Sequence, residues 1–296
     1  MHYYRLDLLY DGRTYQGWQT QPHQQTVQDT FDQALASLGL GPSIAAGRTD
    51  AGVHALQQVV RTTSLQAWDG RDLVRALNAH LPSSIRVEKA SAVGENFHPL
   101  KNAGKEYRYF WAAQVAPFCQ GLITQYDFVL DLNLMRQAAQ DLVGKHDFAP
   151  FACRGTPVKS TIREIFAVRL TEHVAETRCD LPWKGGTYCE FSIIGSGFLK
   201  QMVRLIMGGL MNVGRGKVSL DQWQTVLAGN YAGLGETNLA QEASPSSPAS
   251  WPFPRLGPVA PADGLYLARA FFSPQERAAR IAELQSGDGN GPSCGG

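Results

Sequence analysis

Asp50 is the only carboxylate in the loop Gly47-Arg48-Thr49-Asp50-Ala51-Gly52, and Arg48 lies two residues before it. An aspartate between glycines is most often a turn residue, because those residue types suit tight turns. A guanidinium close by changes what such a carboxylate can do: it favours the charged form, and an ionised carboxylate can act as a nucleophile or stabilise a cation. If the backbone through Arg48 and Asp50 is extended, the two side chains share a face. A second arginine, Arg204, sits among Phe198, Leu199, Met202, Val203, Leu205, Ile206 and Met207. It could be a surface arginine on an amphipathic helix, but so little polar surface surrounds it that its charge is expected to face a carboxylate or a phosphate. Tyr107 belongs to Lys105-Glu106-Tyr107-Arg108-Tyr109, which alternates charge and aromatic ring as a strand with one wet and one covered face does. His54, His80 and His98 have the chemistry of acid–base groups, yet His54 reads as structural and His98 as a loop contact. The five cysteines form no C-x-x-C pair, which gives neither a zinc ribbon nor a disulfide framework and reads as free thiols in a reducing cytosol.

The elements that must position these residues follow from periodicity. Tyr3 to Tyr10 reads as a strand ending at the Asp11-Gly12 turn. Thr26 opens a helix marked by Val27, Phe31, Ala34, Leu35 and Leu38, with Asp29 in the place of a capping-box acid and Gly39 where a helix stops. Ser43 to Ala46 is a short apolar run and Leu56 to Thr62 a strand, with the Asp50 loop between them. Leu73, Val74, Leu77 and Leu81 mark a second helix, and a strand follows near Ile85 to Ala90. The order is β-α-β-β-α-β. After a linker at Phe97 to Gly104, strands are expected at Lys105 to Trp111, Ile162 to Leu170, Tyr188 to Ile194 and Leu265 to Phe272. Helices are expected from Leu134 to Gly144, from Phe198 to Met211 and from Leu220 to Leu227, the last capped by Ser219. Glu276 to Leu284 fits a short helix. This is an α+β pattern: two related α/β halves with mainly antiparallel sheets and helices on one side, and an active-site cleft between the halves. The expected divisions are 1–103, holding the Asp50 loop, 104–272, with a Pro/Ser-rich insertion at about 240–261, and a flexible tail at 273–296.

The 296 residues, 44% hydrophobic and 18% charged, suffice for one large or two modest cores and exclude wholesale disorder. No apolar run approaches the roughly 18 residues of a membrane span. The N-terminal residues lack a signal-peptide layout, which points to the cytoplasm. A net charge of +1 means that any nucleic-acid binding must come from a local patch. The candidates are Lys101, Lys105, Arg108, Lys159, Arg163, Lys200, Arg215 and Lys217, most of them in the second half.

Ala46-Gly47-Arg48-Thr49-Asp50-Ala51-Gly52-Val53-His54-Ala55 resembles the signature loop of the TruA family of tRNA pseudouridine synthases. The likeness extends to Asp11-Gly12 with Tyr15-Gln16-Gly17-Trp18-Gln19, to Asn78-Ala79-His80-Leu81-Pro82, to Phe97-His98-Pro99 and to Lys105-Glu106-Tyr107-Arg108-Tyr109. It continues through His146-Asp147-Phe148, Thr161-Ile162-Arg163, Gly197 to Arg204 and Ala260 to Leu267, and so spans about Tyr3 to Phe272.

The resemblance implies conversion of uridine to pseudouridine in the tRNA anticodon stem-loop, at positions 38 to 40, by a cytoplasmic homodimer without cofactor or metal. It makes Asp50 the catalytic nucleophile, Arg204 its guanidinium partner, Arg48 the residue that helps extrude the base, and Tyr107 the substrate-binding tyrosine. Whether Tyr107 only stacks on the uracil or also moves a proton is left open. Glu106 must point away from the RNA or pair with Lys105. Two other classes compete: a non-catalytic RNA-binding or RNA-folding factor with the same fold, and a nucleosidase or glycosidase. The latter usually needs a second carboxylate, and none stands beside Asp50 in the sequence.

Overall fold

The computed structural model describes residues 1–153, 158–174, 186–230 and 253–286. In chain order its elements are β1 (His2–Tyr10), α1 (Val27–Ser37), β2 (Ile44–Ala45), β3 (His54–Ser64), α2 (Gly70–His80), β4 (Ile85–Val93), β5 (Gly104–Ala112), β6 (Thr124–Gln125), α3 (Leu132–Gln140) and β7 (Gly144–Asp147). β8 (Ile162–Val174), β9 (Thr187–Gly195), α4 (Met202–Gly214), α5 (Leu220–Leu227), β10 (Leu265–Phe271) and α6 (Pro274–Ser286) follow. The chain is mixed α and β with mainly antiparallel strands, and the first six elements keep the expected β-α-β-β-α-β order. No helix among the described residues is long and apolar enough to cross a membrane.

The chain divides into two compact units. The first takes Met1–Arg108, Cys119–Thr124 and Ala262–Phe272; the second takes Tyr109–Phe118, Gln125–Pro261 and Ser273–Gly296. In the first unit β1 lies between β4 and β3, antiparallel to both, with Leu6 opposite Val60 on one side and Ala90 on the other. β10 runs parallel to β3, Tyr266 opposite His54 and Leu267 opposite Ala55, while β2 pairs with the far end of β3. Nothing in the local pattern of the last strand announces that pairing. Leu6, Leu8, Phe31, Leu35, Val59, Val60, Leu73, Leu77 and Val87 are fully buried, each worth about 1.5–3 kcal/mol relative to exposure.

Helix α1 begins as its sequence directs: the Thr26 hydroxyl accepts the Asp29 N–H and donates to the Asp29 carboxylate. It stops at left-handed Gly39, whose N–H bonds the Ala36 carbonyl while the Leu40 N–H reaches Leu35, a Schellman ending. Asp69 caps α2 through the N–H groups of Arg71 and Asp72.

In the second unit β8 lies antiparallel to β7 and β9. Ser219 and Gln222 form the reciprocal capping box of α5. Helix α6 is held to β8 by Arg277 over the Phe166 ring and by Arg169 Nη1 donating to the Leu284 carbonyl.

Two differences from the sequence reading have a visible backbone cause. Helix α4 starts at Met202, not Phe198, because Gln201 takes a left-handed conformation (φ 60°) and ends the preceding turn. Helix α3 stops at Gln140, and Gly144 instead opens β7 with φ 116°. Of the cysteines, Cys119, Cys153 and Cys189 are free thiols, and Cys179 and Cys294 lie outside the described residues. The Pro/Ser-rich segment lies outside them through residue 252.

Candidate active site

The loop from Ala46 to Val53 links β2 to β3 without regular structure, so individual bonds set its position. The Ala46 N–H donates to the Val59 carbonyl (2.8 Å), and the Gln58 side-chain amide donates to the Gly47 carbonyl (2.7 Å). The turn after β1 holds the middle of the loop: the Trp18 N–H donates to the Thr49 carbonyl (3.1 Å), and the Gly52 N–H to the Tyr15 carbonyl (3.2 Å). A Cβ at Gly17 would lie 2.6 Å from that Thr49 carbonyl, and φ there is +90°, so only glycine permits this approach. Tyr10, the last residue of β1, meets the Thr49 hydroxyl at 2.8 Å. The loop closes in a turn in which the Val53 N–H returns to the Asp50 carbonyl (3.1 Å), with Gly52 at φ +78° supplying the left-handed corner.

The outcome is a sorted set of side chains. Thr49 is buried, Arg48 on one side of it is exposed and Asp50 on the other is half-buried. Asp50 is therefore not wholly buried.

His54 occupies the first position of β3 and is 1% exposed. Its Nδ1 accepts the Gly12 N–H (3.1 Å), leaving Nε2–H to donate to the Gly121 carbonyl (2.9 Å), and its ring stacks on Tyr266 at 4.6 Å. Burial pushes its pKa below the ordinary histidine value, against the pull of Asp11. A neutral imidazole with both nitrogens engaged is a structural peg, as the sequence suggested.

Strand β5 presents Tyr107 toward this loop. Burial raises the Tyr107 phenol, and the neighbouring Tyr10 and Asp50 raise it further, which places the tyrosine hydroxyl within electrostatic reach of the Asp50 carboxylate. A phenol held protonated at neutral pH can donate or accept a hydrogen bond, but it is not a phenolate base. Tyr107 retains 8% exposure. Glu106, on the opposite face of the strand and fully buried, accepts from Arg108 Nε at 3.0 Å. It is paired, with Arg108 in place of Lys105.

Arg204 lies in the second unit, on the first turn of α4. It is half-buried; its Nε donates to the Ala260 carbonyl (2.7 Å), and its own carbonyl accepts the Ala260 N–H (3.1 Å). The first unit thus brings Asp50, Arg48 and Tyr107 to one loop and one strand. The sequence reading overlooked the residues that hold the loop, Tyr10, Gln58 and Gly17 in particular. The one available signal was that Tyr10 falls on the inward-facing register of β1 immediately before the Asp11-Gly12 turn.

A mainly antiparallel α+β chain with an aspartate in an arginine-bearing loop matches one family model, that of the tRNA pseudouridine synthases, over residues 8–100 and 138–244. The chain belongs to that family. Among curated relatives, the tRNA pseudouridine synthase A of Bordetella avium is 37% identical over 254 residues, covering 83% of this chain and 91% of the relative. That of Bordetella petrii is 34% identical over 97% of this chain and 95% of its own length, and that of Bacillus pumilus 35% over 90% and 98%.

Proposed function

We propose that this chain isomerises uridine to pseudouridine in the anticodon stem-loop of tRNA, at positions 38 to 40, with Asp50 as the catalytic nucleophile. Family membership carries the coarser part of this reading, an isomerase acting on tRNA. The observation that supports the finer part is the half-buried Asp50 carboxylate on a loop pinned at both ends, with the Tyr107 hydroxyl in electrostatic range.

The chemistry is balanced without a co-reactant. The N1–C1′ bond breaks, the uracil turns over, C5 bonds to C1′, and the hydrogen on C5 leaves to solvent as N1 takes up a proton. An ionised Asp50 serves as the nucleophile or stabilises the cationic sugar. Arg48, exposed beside it, helps to hold the base out of the stem, a displacement that costs a few kcal/mol in unstacking. Tyr107 contacts the extruded uracil, by stacking alone or with its hydroxyl as well. The resemblance gives Arg204 the part of the guanidinium that keeps the carboxylate charged. It also implies a homodimer in the cytoplasm, which sedimentation of the purified chain tests.

The deciding experiment uses tRNA carrying tritium at C5 of uridine. The parental chain releases label to water without free uracil. Asp50→Asn, nearly isosteric, abolishes release and leaves RNA binding within a few fold. Release at the parental rate by the Asn variant removes Asp50 from the mechanism. Binding without any release by the parental chain would make it an RNA-binding factor, and free uracil would make it a hydrolase. Tyr107→Phe separates the two uses of the tyrosine, because full activity in that variant excludes a hydroxyl role.

A further inference from the structure

Side chains two apart on a strand point the same way, so Lys105 stands on the face of β5 that carries Tyr107, opposite the Glu106–Arg108 pair. Along that face the two residues meet the same loop at two points. Tyr107 is in electrostatic range of Asp50. Lys105 lies over Gly47: a Cβ built on Gly47 would be 3.2 Å from both Cε and Nζ of the lysine. The lysine tip therefore fills the space that a side chain at 47 would take, and brings an ammonium against the backbone next to Arg48.

Lys105 is only half-exposed, and burial pushes its ammonium below the ordinary lysine value with no share from Asp50. Among the described residues no carboxylate lies within ion-pair distance of it. A cation withdrawn from water and unmatched by an acid is costly, and an anion arriving with the substrate would offset that cost. Glycine at 47 keeps the approach open. We infer that Lys105 binds a backbone phosphate of the RNA strand beside the nucleotide that Asp50 acts on. The inference rests on the reading of Asp50 as the catalytic residue and adds the charge that fixes the strand over it. A lysine suits this task as a compact point charge that positions the backbone without reading a base.

The test uses the full chain and anticodon stem-loop RNAs in which the phosphate on one side or the other of the modified uridine is a neutral methylphosphonate. The parental chain binds one of the two substituted RNAs about tenfold more weakly than the unmodified RNA, as expected for the loss of a charge-assisted contact. Lys105→Met binds unmodified RNA weakly to the same extent and is indifferent to that substitution. Its salt dependence is shallower by about 0.7–0.9 in the slope of log K against log salt, one phosphate's worth. Lys105→Arg keeps the parental slope. Losses that add, or a Met variant with parental affinity and slope, overturn the assignment. Tritium release by the parental chain and by Asp50→Asn, measured alongside, reports on the isomerase reading and on Asp50 separately. Parental turnover that is lost in Asp50→Asn, together with additive losses, removes Lys105 and keeps Asp50, whereas the expected binding pattern without parental turnover keeps the phosphate contact and removes the isomerase reading.

Discussion

From Ala46 to Val53 the backbone follows no ladder, and single bonds from Tyr15, Trp18, Tyr10, Gln58 and Val59 hold it. Helix α4 is the opposite case. Its backbone satisfies itself, and Met202, Val203, Leu205, Ile206, Met207, Leu210 and Met211 are all buried, so packing over thirteen residues holds Arg204 in place. The difference is one of failure modes. A loop held by few directional contacts fixes a carboxylate closely, and each contact acts on geometry more than on global stability. A helix held by volume tolerates changes of polarity at its ends but responds to any cavity.

The comparison can be broken at four points, taken from the largest expected effect. Ile206→Ala should lower stability by about 2–5 kcal/mol, the usual range for such a truncation, in urea denaturation. Turnover per folded molecule should stay near the parental value, and a selective loss of activity would show that α4 is not a passive frame. Gly17→Ala forces an L side chain into a left-handed conformation at about 1–3 kcal/mol and drives a methyl into the Thr49 carbonyl. Tritium release should fall about a hundredfold, as for a displacement of roughly 1 Å at a reacting group. An unaffected rate would mean that the Tyr15–Trp18 turn does not set the position of Asp50.

Tyr10→Phe removes one bond to the buried Thr49 hydroxyl and should cost about 1 kcal/mol, with a few-fold slower turnover and unchanged RNA binding. The smallest effect is in pH. The folded-state pKa of His54 lies below its ordinary value of 6.5, so its neutral form contributes stability that is full above that pH. The contribution is lost as pH falls through the folded-state pKa. Urea midpoints measured downward from pH 7 should show this decline in the parental chain and a flatter profile in His54→Gln. Equal profiles would mean that the peg does not titrate with folding.

Much of this could be read from the sequence because it is local. Thr26, Gly39 and Ser219 end or begin helices through contacts within four residues, and strand β5 shows its two faces in the alternation from Lys105 to Trp111. The misread boundaries are places where hydrophobicity and backbone conformation part. Phe198 and Leu199 extend the apolar run of α4, yet Gln201 turns left-handed and cuts it. Asp50, Arg48 and Tyr107, the residues proposed for the site, come from the motif alone. Tyr10, Gln58 and Lys105 were not read as neighbours of the loop, because each reaches it from a separate strand and no periodicity reports a contact across tens of residues. His54 was legible as structural, but its partners Gly12 and Gly121 were not.

The parallel pairing of β10 with β3 bears on how the protein emerges from the ribosome. β3 begins where the Asp50 loop ends, and one of its flanks is closed by residues 266 and 267, with Tyr266 lying flat on His54 and bonding the Leu122 carbonyl. β2 covers that flank at Val60 and Arg61, but through the synthesis of everything between, its His54–Ala55 end is an unmatched edge open to mispairing. A nascent chain stalled before residue 266 carries the loop from Ala46 to Val53 but lacks the strand that pairs with the start of β3 beside it. The start of β3, next to the loop that carries Asp50, is therefore completed only after residue 267 has been made.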